Sequence, residues 1–399
     1  MSETQLSARI NNLEESQTIG MSKLCRELTE KGFDVINLSL GEPDFDTPIH
    51  VREAAKKAID DGYSHYTPIS GFADLRKVIS EKFKRENALD YSPSQIVVST
   101  GAKQAIANVV LSLVNEGDEV IIPKPYWVSY IEIVKLAEGK PVFIPSSVET
   151  NFKITPEQLE KAITPRSKMF IFSSPCNPTG TVYTREELSA LAKVFEKHKN
   201  VFILSDEIYE HINYIGNHES IAQFPSLCDR MIIVNGVSKS FAMTGWRIGY
   251  SASPLWIAQA CDKMQGQITS GANSIAQKAA EAALSGGLKS VHTMREAFHR
   301  RRDLMIKLFR QIPNVIVNDP DGAFYIFPDV SFYLEKKDGD KKVDNVHDLC
   351  MYLLYTAHVS VVPGNAFGDD KCIRLSYSAS EDDIEKAVSR IHNALLALK

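Results

Sequence analysis

Short runs of β-branched and aromatic residues recur through the middle of the chain, each bounded by turn-forming residues. They fall at 95–100, 118–123, 168–173, 201–205, 231–235 and 247–251, and stretches of helical periodicity follow at 103–114 and 186–197. Runs that are apolar at nearly every position predict strands buried on both faces. Strands alternating with helices predict an α/β fold, a mostly parallel central sheet covered by helices. Ligands in such folds sit beyond the carboxyl ends of the strands. The residues just past each run are therefore the places to look for chemistry.

The pattern changes at about residue 286. A long charged helix is predicted through 292–309, then strands mixed with helices at 346–356 and 381–397. This predicts a smaller α+β domain. The expected division is 1–45 as an N-terminal arm and part of the small domain, 46–285 as the large domain, and 286–399 as the small C-terminal domain. The run of lysines and aspartates at 335–342 reads as a solvated loop. There is no internal repeat and no low-complexity linker.

At 399 residues, with 44% apolar and 24% charged side chains, the chain can bury two substantial cores. A net charge of -5 carries no polybasic footprint, so nucleic acid is not an expected partner. The six scattered cysteines predict reduced thiols, with neither disulfides nor a metal site. No apolar stretch approaches a membrane span, and residues through Glu15 lack the apolar core of a signal peptide. A cytoplasmic protein is the expectation.

Chemistry concentrates in Gly236-Val-Ser-Lys-Ser-Phe-Ala-Met-Thr-Gly-Trp-Arg247-Ile-Gly249. Lys239 follows a buried run, where desolvation strips an amine of its charge and makes it a nucleophile toward carbonyls. Arg247 and the nearby hydroxyls, Ser238 among them, are donors suited to a phosphate. Gly101 and Ala102 follow another strand and open a helix whose free N–H groups suit an anion. Asp206 stands at the end of the 201–205 run, as a functional carboxylate or a strand-end cap. Trp127 follows the 118–123 run, for stacking or for packing. Asn177, in Asn-Pro-Thr-Gly, follows the 168–173 run and is also a strong turn signal. Arg374 lies in an apolar run, which calls for a carboxylate partner, from a substrate or from the protein.

Taken together with Gly41-Glu-Pro-Asp, Tyr66-Thr-Pro and Asp206-Glu-Ile-Tyr209, these motifs occur in the order seen in fold-type I, class I/II pyridoxal-phosphate aminotransferases. The chain resembles that family along nearly its whole length, and within it the bacterial aspartate aminotransferase branch related to prephenate aminotransferases. The resemblance implies pyridoxal 5'-phosphate as cofactor, with Lys239 as Schiff-base lysine and general base. It implies Asp206 on the pyridine nitrogen, Tyr209 and Asn177 on the phenolic oxygen, and Trp127 stacked on the ring. Gly101, Ala102, Ser238 and Arg247 would take the phosphate. Gly41, Trp127, Asn177 and Arg374 would surround the substrate carboxylate. It further implies a homodimer with shared sites, in which Tyr66 reaches the neighbour's phosphate and Thr269 and Ser270 approach the neighbour's site.

For the substrate, Lys103 with Thr18 matches the positions that hold a distal carboxylate in aspartate-active relatives. The expected reaction is L-aspartate plus 2-oxoglutarate to oxaloacetate plus L-glutamate. Glu14 and Glu15 lie where prephenate-active relatives carry a basic residue, which disfavours prephenate. Aminotransferases for prephenate, aromatic or neutral amino acids and a β-lyase are the alternatives. A non-enzymatic regulator is disfavoured because no catalytic position is missing.

Overall fold

The computed structural model describes residues 6–399; the first five residues of the expected N-terminal arm lie outside the described residues. Seven strands form the central sheet: β1 (Ile96–Ser99), β2 (Glu119–Pro123), β3 (Lys140–Ile144), β4 (Ser167–Ser173), β5 (Phe202–Asp206), β6 (Met231–Gly236) and β7 (Gly249–Ala252). Their order is β1-β7-β6-β5-β4-β2-β3. All pairings are parallel except those of β7, which runs antiparallel to both β1 and β6.

Alternate residues of these strands feed opposite faces. Phe170, Phe172 and Ile203 join one buried cluster, whereas Met169, Ile171 and Leu204 join another. Burial on both sides explains why these runs are apolar throughout. The strand β3 has no counterpart among the predicted elements. It is an edge strand, mostly exposed or half-exposed and carrying Pro141, so it lacks the apolar run that marks its neighbours.

A third cluster joins Leu28, Ile36 and Leu38 to Phe298, Phe309, Tyr325, Ile391 and Leu395. The long helix Lys289–Phe309 and the helix Glu381–Ala397 pack here. Tyr209 and Ile212, just past β5, belong to the same cluster, so the C-terminal region is packed against the edge of the sheet where ligands bind. Residues 335–342 are a correction: they form an exposed hairpin, Lys336–Asp338 paired with Lys341–Val343, and not an unstructured loop. Gly339, at positive φ, lies in the turn between its strands. The predicted helix at 346–356 is α-helical over Val346–Tyr352 and widens to a π-helical turn over Leu353–Ala357.

Candidate active site

The carboxyl ends of β4, β5 and β6 open on a cavity of about 250 Å³. Lys239, Asp206, Tyr209, Asn177, Arg374, Gly41, Trp127, Ser238, Arg247, Ala102, Lys103 and Thr18 all line it.

Asp206, the last residue of β5, is buried, and its carboxylate accepts from the Tyr130 hydroxyl (2.7 Å) and the Ile208 N–H (3.2 Å). Burial outweighs these bonds and pushes its pKa up to about 6. An anion so placed calls for a cation beside it, as a protonated pyridine nitrogen would be. Lys239, three residues past β6, donates to the Gly41 carbonyl. Enclosure lowers its pKa to about 8; the Glu42 charge resists this, and Arg374 and Arg247 add to it. Among the described residues no carboxylate bonds this amine, so neutrality costs it little.

Arg374 is carried by the strand Ile373–Ser376 and is buried. It donates to Asn177 Oδ1 (3.0 Å) and to the Ser39 carbonyl (2.7 Å), between the rings of Tyr325 and Phe367. Its buried Nε has no partner among the described residues, an unmet donor in the wall of the site. Tyr209 is also buried, and its hydroxyl lies 2.7 Å from that of Tyr325.

Gly101 has φ of 82° and precedes the helix Ala102–Leu113 without a side-chain cap, which leaves the first N–H groups of the helix for a ligand. A Cβ at Gly101 would overlap the Arg247 guanidinium, and one at Gly249 would overlap the Ala102 backbone. Both glycines are thus required for arginine and helix N-terminus to meet. Arg247 lies outside β7, at φ of 58°, and not within the predicted 247–251 strand. A donor set of helix N–H groups, guanidinium and the Ser238 hydroxyl is chemically matched to a phosphate. With the under-partnered amine and the buried carboxylate, these residues fit pyridoxal phosphate.

At the rim, the Lys103 ammonium lies 5.1 Å from the Trp127 ring centroid. Partial burial, then the Arg247 charge, lowers its pKa. The Thr18 hydroxyl bonds that of Ser16 (2.7 Å). Tyr66 is not brought to this cavity: it is almost wholly exposed and lines a separate hollow with Tyr63 and His65. Thr269 accepts from Gln104 Nε2 (2.5 Å), and Ser270 adopts a positive φ. Glu14 and Glu15 are exposed and border an adjoining cavity that also touches Lys103; Glu14 faces Lys135 at 3.7 Å. Tyr130, Tyr325 and Ser39 are functional neighbours that the sequence reading missed. For Tyr130 a signal existed, since it follows Trp127 by only three residues, just past the 118–123 run.

A lysine, a buried carboxylate and a phosphate cradle at one sheet edge define a pyridoxal-phosphate enzyme. Residues 33–391 match the model of the class I and II aminotransferases. The chain is 48% identical to a bifunctional aspartate aminotransferase and glutamate/aspartate-prephenate aminotransferase of Petunia hybrida, over 99% of this chain and 83% of that protein. It is 47% identical to an aspartate/prephenate aminotransferase of Cereibacter sphaeroides, over 97% of each. The crystal structure of an aspartate aminotransferase from Rhizobium meliloti superposes with a TM-score of 0.95 at 42% identity, covering 99% of this chain and 100% of that one. The chain belongs to the class I and II aminotransferase family, and it is an aminotransferase that uses pyridoxal 5'-phosphate.

Proposed function

We propose that the preferred amino donor is L-aspartate, with 2-oxoglutarate as acceptor. The observation that carries this reading is a pair of cations in the lining of one cavity: Arg374 for the α-carboxylate and Lys103 for a distal carboxylate. Lys103 has no carboxylate of its own within ion-pairing distance among the described residues, so a dicarboxylate substrate supplies the missing partner.

When bound, pyridoxal phosphate supplies an electron sink for the charge left at the substrate α-carbon. Lys239 would hold the cofactor and, as a free amine, would take the proton from the substrate α-carbon and pass it on without restoring it there, a role suited to an amine whose pKa lies near 8. Asp206 keeps a proton on the ring nitrogen, with Tyr130 fixing the carboxylate. Tyr209 and Asn177 hold the phenolic oxygen, and Trp127 covers the ring. Gly101, Ala102, Ser238 and Arg247 take the phosphate. Gly41 contributes its carbonyl, which holds Lys239 in the unliganded protein.

The working unit in this reading is a homodimer, with Tyr66, Thr269 and Ser270 serving the partner's site. Exposed Tyr66 and Ile268 support it. The division at residues 45 and 285 is part of the same reading, supported by the change of core near the long helix. So is a cytoplasmic location; among the described residues no helix is long and apolar enough to cross a membrane.

Adding L-aspartate without a keto acid should discharge the yellow band of the holoenzyme. A band unmoved by aspartate but discharged by an aromatic or neutral amino acid would overturn the dicarboxylate reading. Lys103→Ala should lower kcat/KM for aspartate by about 10–100-fold, the loss of one charged hydrogen-bonding partner, and spare alanine. Prephenate is the second reading. The expected repulsion from Glu14 is relieved because that carboxylate is exposed and faces Lys135, and the Cereibacter relative carries both activities in its name.

A further inference from the structure

The six residues from Asp206 to His211 divide between two sides of the sheet edge. Asp206 and Tyr209 line the cavity. Glu207, Glu210 and His211 instead enter a buried cluster of charges. Glu207 accepts from Ser205 (2.9 Å) and Ser220 (2.6 Å) and pairs with His218 (2.9 Å). Glu210 accepts from the fully buried Lys82 and from Asn87 (2.9 Å). Lys82 lies 3.7 Å from Glu86, whose carboxylate accepts a hydrogen bond from His211 Nε2 at 2.9 Å.

The triads Glu86–Glu210–His211 and Glu207–Glu210–His218 bring their donor atoms close enough to hold an ion. The Lys82 ammonium already lies among the Glu86 and Glu210 oxygens and meets that need. Three carboxylates face the Lys82 ammonium and two imidazoles, and the exposed Arg85 guanidinium also bonds Glu86. Burial opposes the charge on His218, but Glu207 raises its pKa overall.

One hydrogen bond carries this cluster to the reacting lysine. His211 Nδ1 lies 3.0 Å from Ser240 Oγ, and Ser240 directly follows Lys239. Ser240 is buried and does not line the cavity, so its hydroxyl is not a ligand contact. The ring of Phe241 meets the His211 ring edge-on at 6.3 Å, which limits how the imidazole can turn.

We propose that His211 is a positioning residue for transamination: through the bond of its Nδ1 to Ser240 it fixes the loop from which Lys239 enters the cavity, while the bond of its Nε2 to Glu86 serves stability. It therefore couples the turn bearing Asp206 and Tyr209 to the loop bearing the amine. The inference rests on Lys239 being the cofactor lysine, which the yellow band of the wild-type holoenzyme, and its loss in Lys239→Ala, test separately.

Two amide substitutions split the two ring nitrogens. In His211→Asn the amide stands where Nδ1 was and keeps a partner for Ser240 while losing Glu86. In His211→Gln the amide stands where Nε2 was and keeps Glu86 while losing Ser240. Ser240→Ala cuts the same link without touching the charged cluster, so it serves even if a His211 variant folds poorly. The measurements are the pH midpoint of the holoenzyme's absorption change, kcat and KM for L-glutamate, and the thermal midpoint.

Ser240→Ala and His211→Gln should each move the spectral midpoint by about half a pH unit or more. Each should lower kcat by about tenfold with KM within about twofold, as for a displaced reacting group. His211→Asn should melt lower yet keep the wild-type spectral midpoint. A Ser240→Ala enzyme with wild-type midpoint and kcat overturns the proposal. So does a His211→Asn enzyme that loses kcat as His211→Gln does, because the Glu86 bond would then be what matters.

Discussion

Two enclosed lysines of this protein have opposite fates. Lys82 is fully buried and lies against Glu210, Asn87 and Glu86, so its charge is met on several sides. Lys239 opens only onto the cavity and bonds a single carbonyl, with two arginines among its charged neighbours. Desolvation acts on both. The difference is compensation: carboxylates turn a buried ammonium into structure, and their absence turns a buried amine into a reagent. The same segment supplies both outcomes, since Asp206 and Tyr209 serve the cavity while Glu207 and Glu210 serve the cluster behind it.

The largest effect that follows is on turnover. Lys239→Ala should lower transamination by at least about a thousandfold, because it removes both the cofactor attachment and the base. It should leave the fold intact, with a thermal midpoint of the apoprotein no lower than that of the wild-type apoprotein, because no salt bridge among the described residues is lost. Turnover near the wild-type rate without added amines would refute the assignment.

Lys82 is the converse. Lys82→Met should destabilise the protein by about 3–5 kcal/mol, the cost of leaving Glu210 buried without its cation. The double variant Lys82→Met/Glu210→Leu should recover most of that loss in urea unfolding. If the single variant is as stable as the wild type, the two lysines do not differ in the way drawn here.

The sequence carried one of these lysines and not the other. Lys239 was legible because it follows a buried strand in a run of small residues, and Asp206, Asn177 and Gly101 because they stand at strand ends. A strand end is a local feature, and the sheet then brings such ends to one edge. Lys82 sits in the helix Ala73–Asn87 among Lys77, Glu81 and Lys84, and reads as one more charge on a solvated face. Only its packing against Glu210, 128 residues away, shows otherwise. Tyr325 was hidden for the same reason: an aromatic in a short apolar strand reads as core until Arg374 and Tyr209 are placed beside it. Tyr66 marks the limit from the other side, since the role expected of it lies in a partner's site and within the single chain its side chain is exposed.

The smallest effect is the pH dependence of stability, and it sharpens the comparison because it isolates the cost of enclosing Lys239. Lys239 has a pKa lowered from 10.5 to about 8 in the folded, cofactor-free protein. Between those values the unfolded chain holds more protons on this group than the folded one, so stability rises with pH across that window. Below about pH 8 both states are protonated, and the penalty for enclosing the charge is present in full. Replacing the amine removes the penalty. Lys239→Met should therefore match the wild-type apoprotein above pH 10.5 and gain on it as the pH falls toward 8, by at most about 3–4 kcal/mol. Below that the gap should stay level. Glu210, whose burial cost is overcome chiefly by Lys82 so that it is held below its usual range, acts in a separate acidic window: its stabilising contribution is present at neutral pH and lost as acid protonates it. Paired urea titrations of the two apoproteins at pH 7, 9 and 10.5 test the first window. A constant gap across them would mean that Lys239 is as well compensated as Lys82.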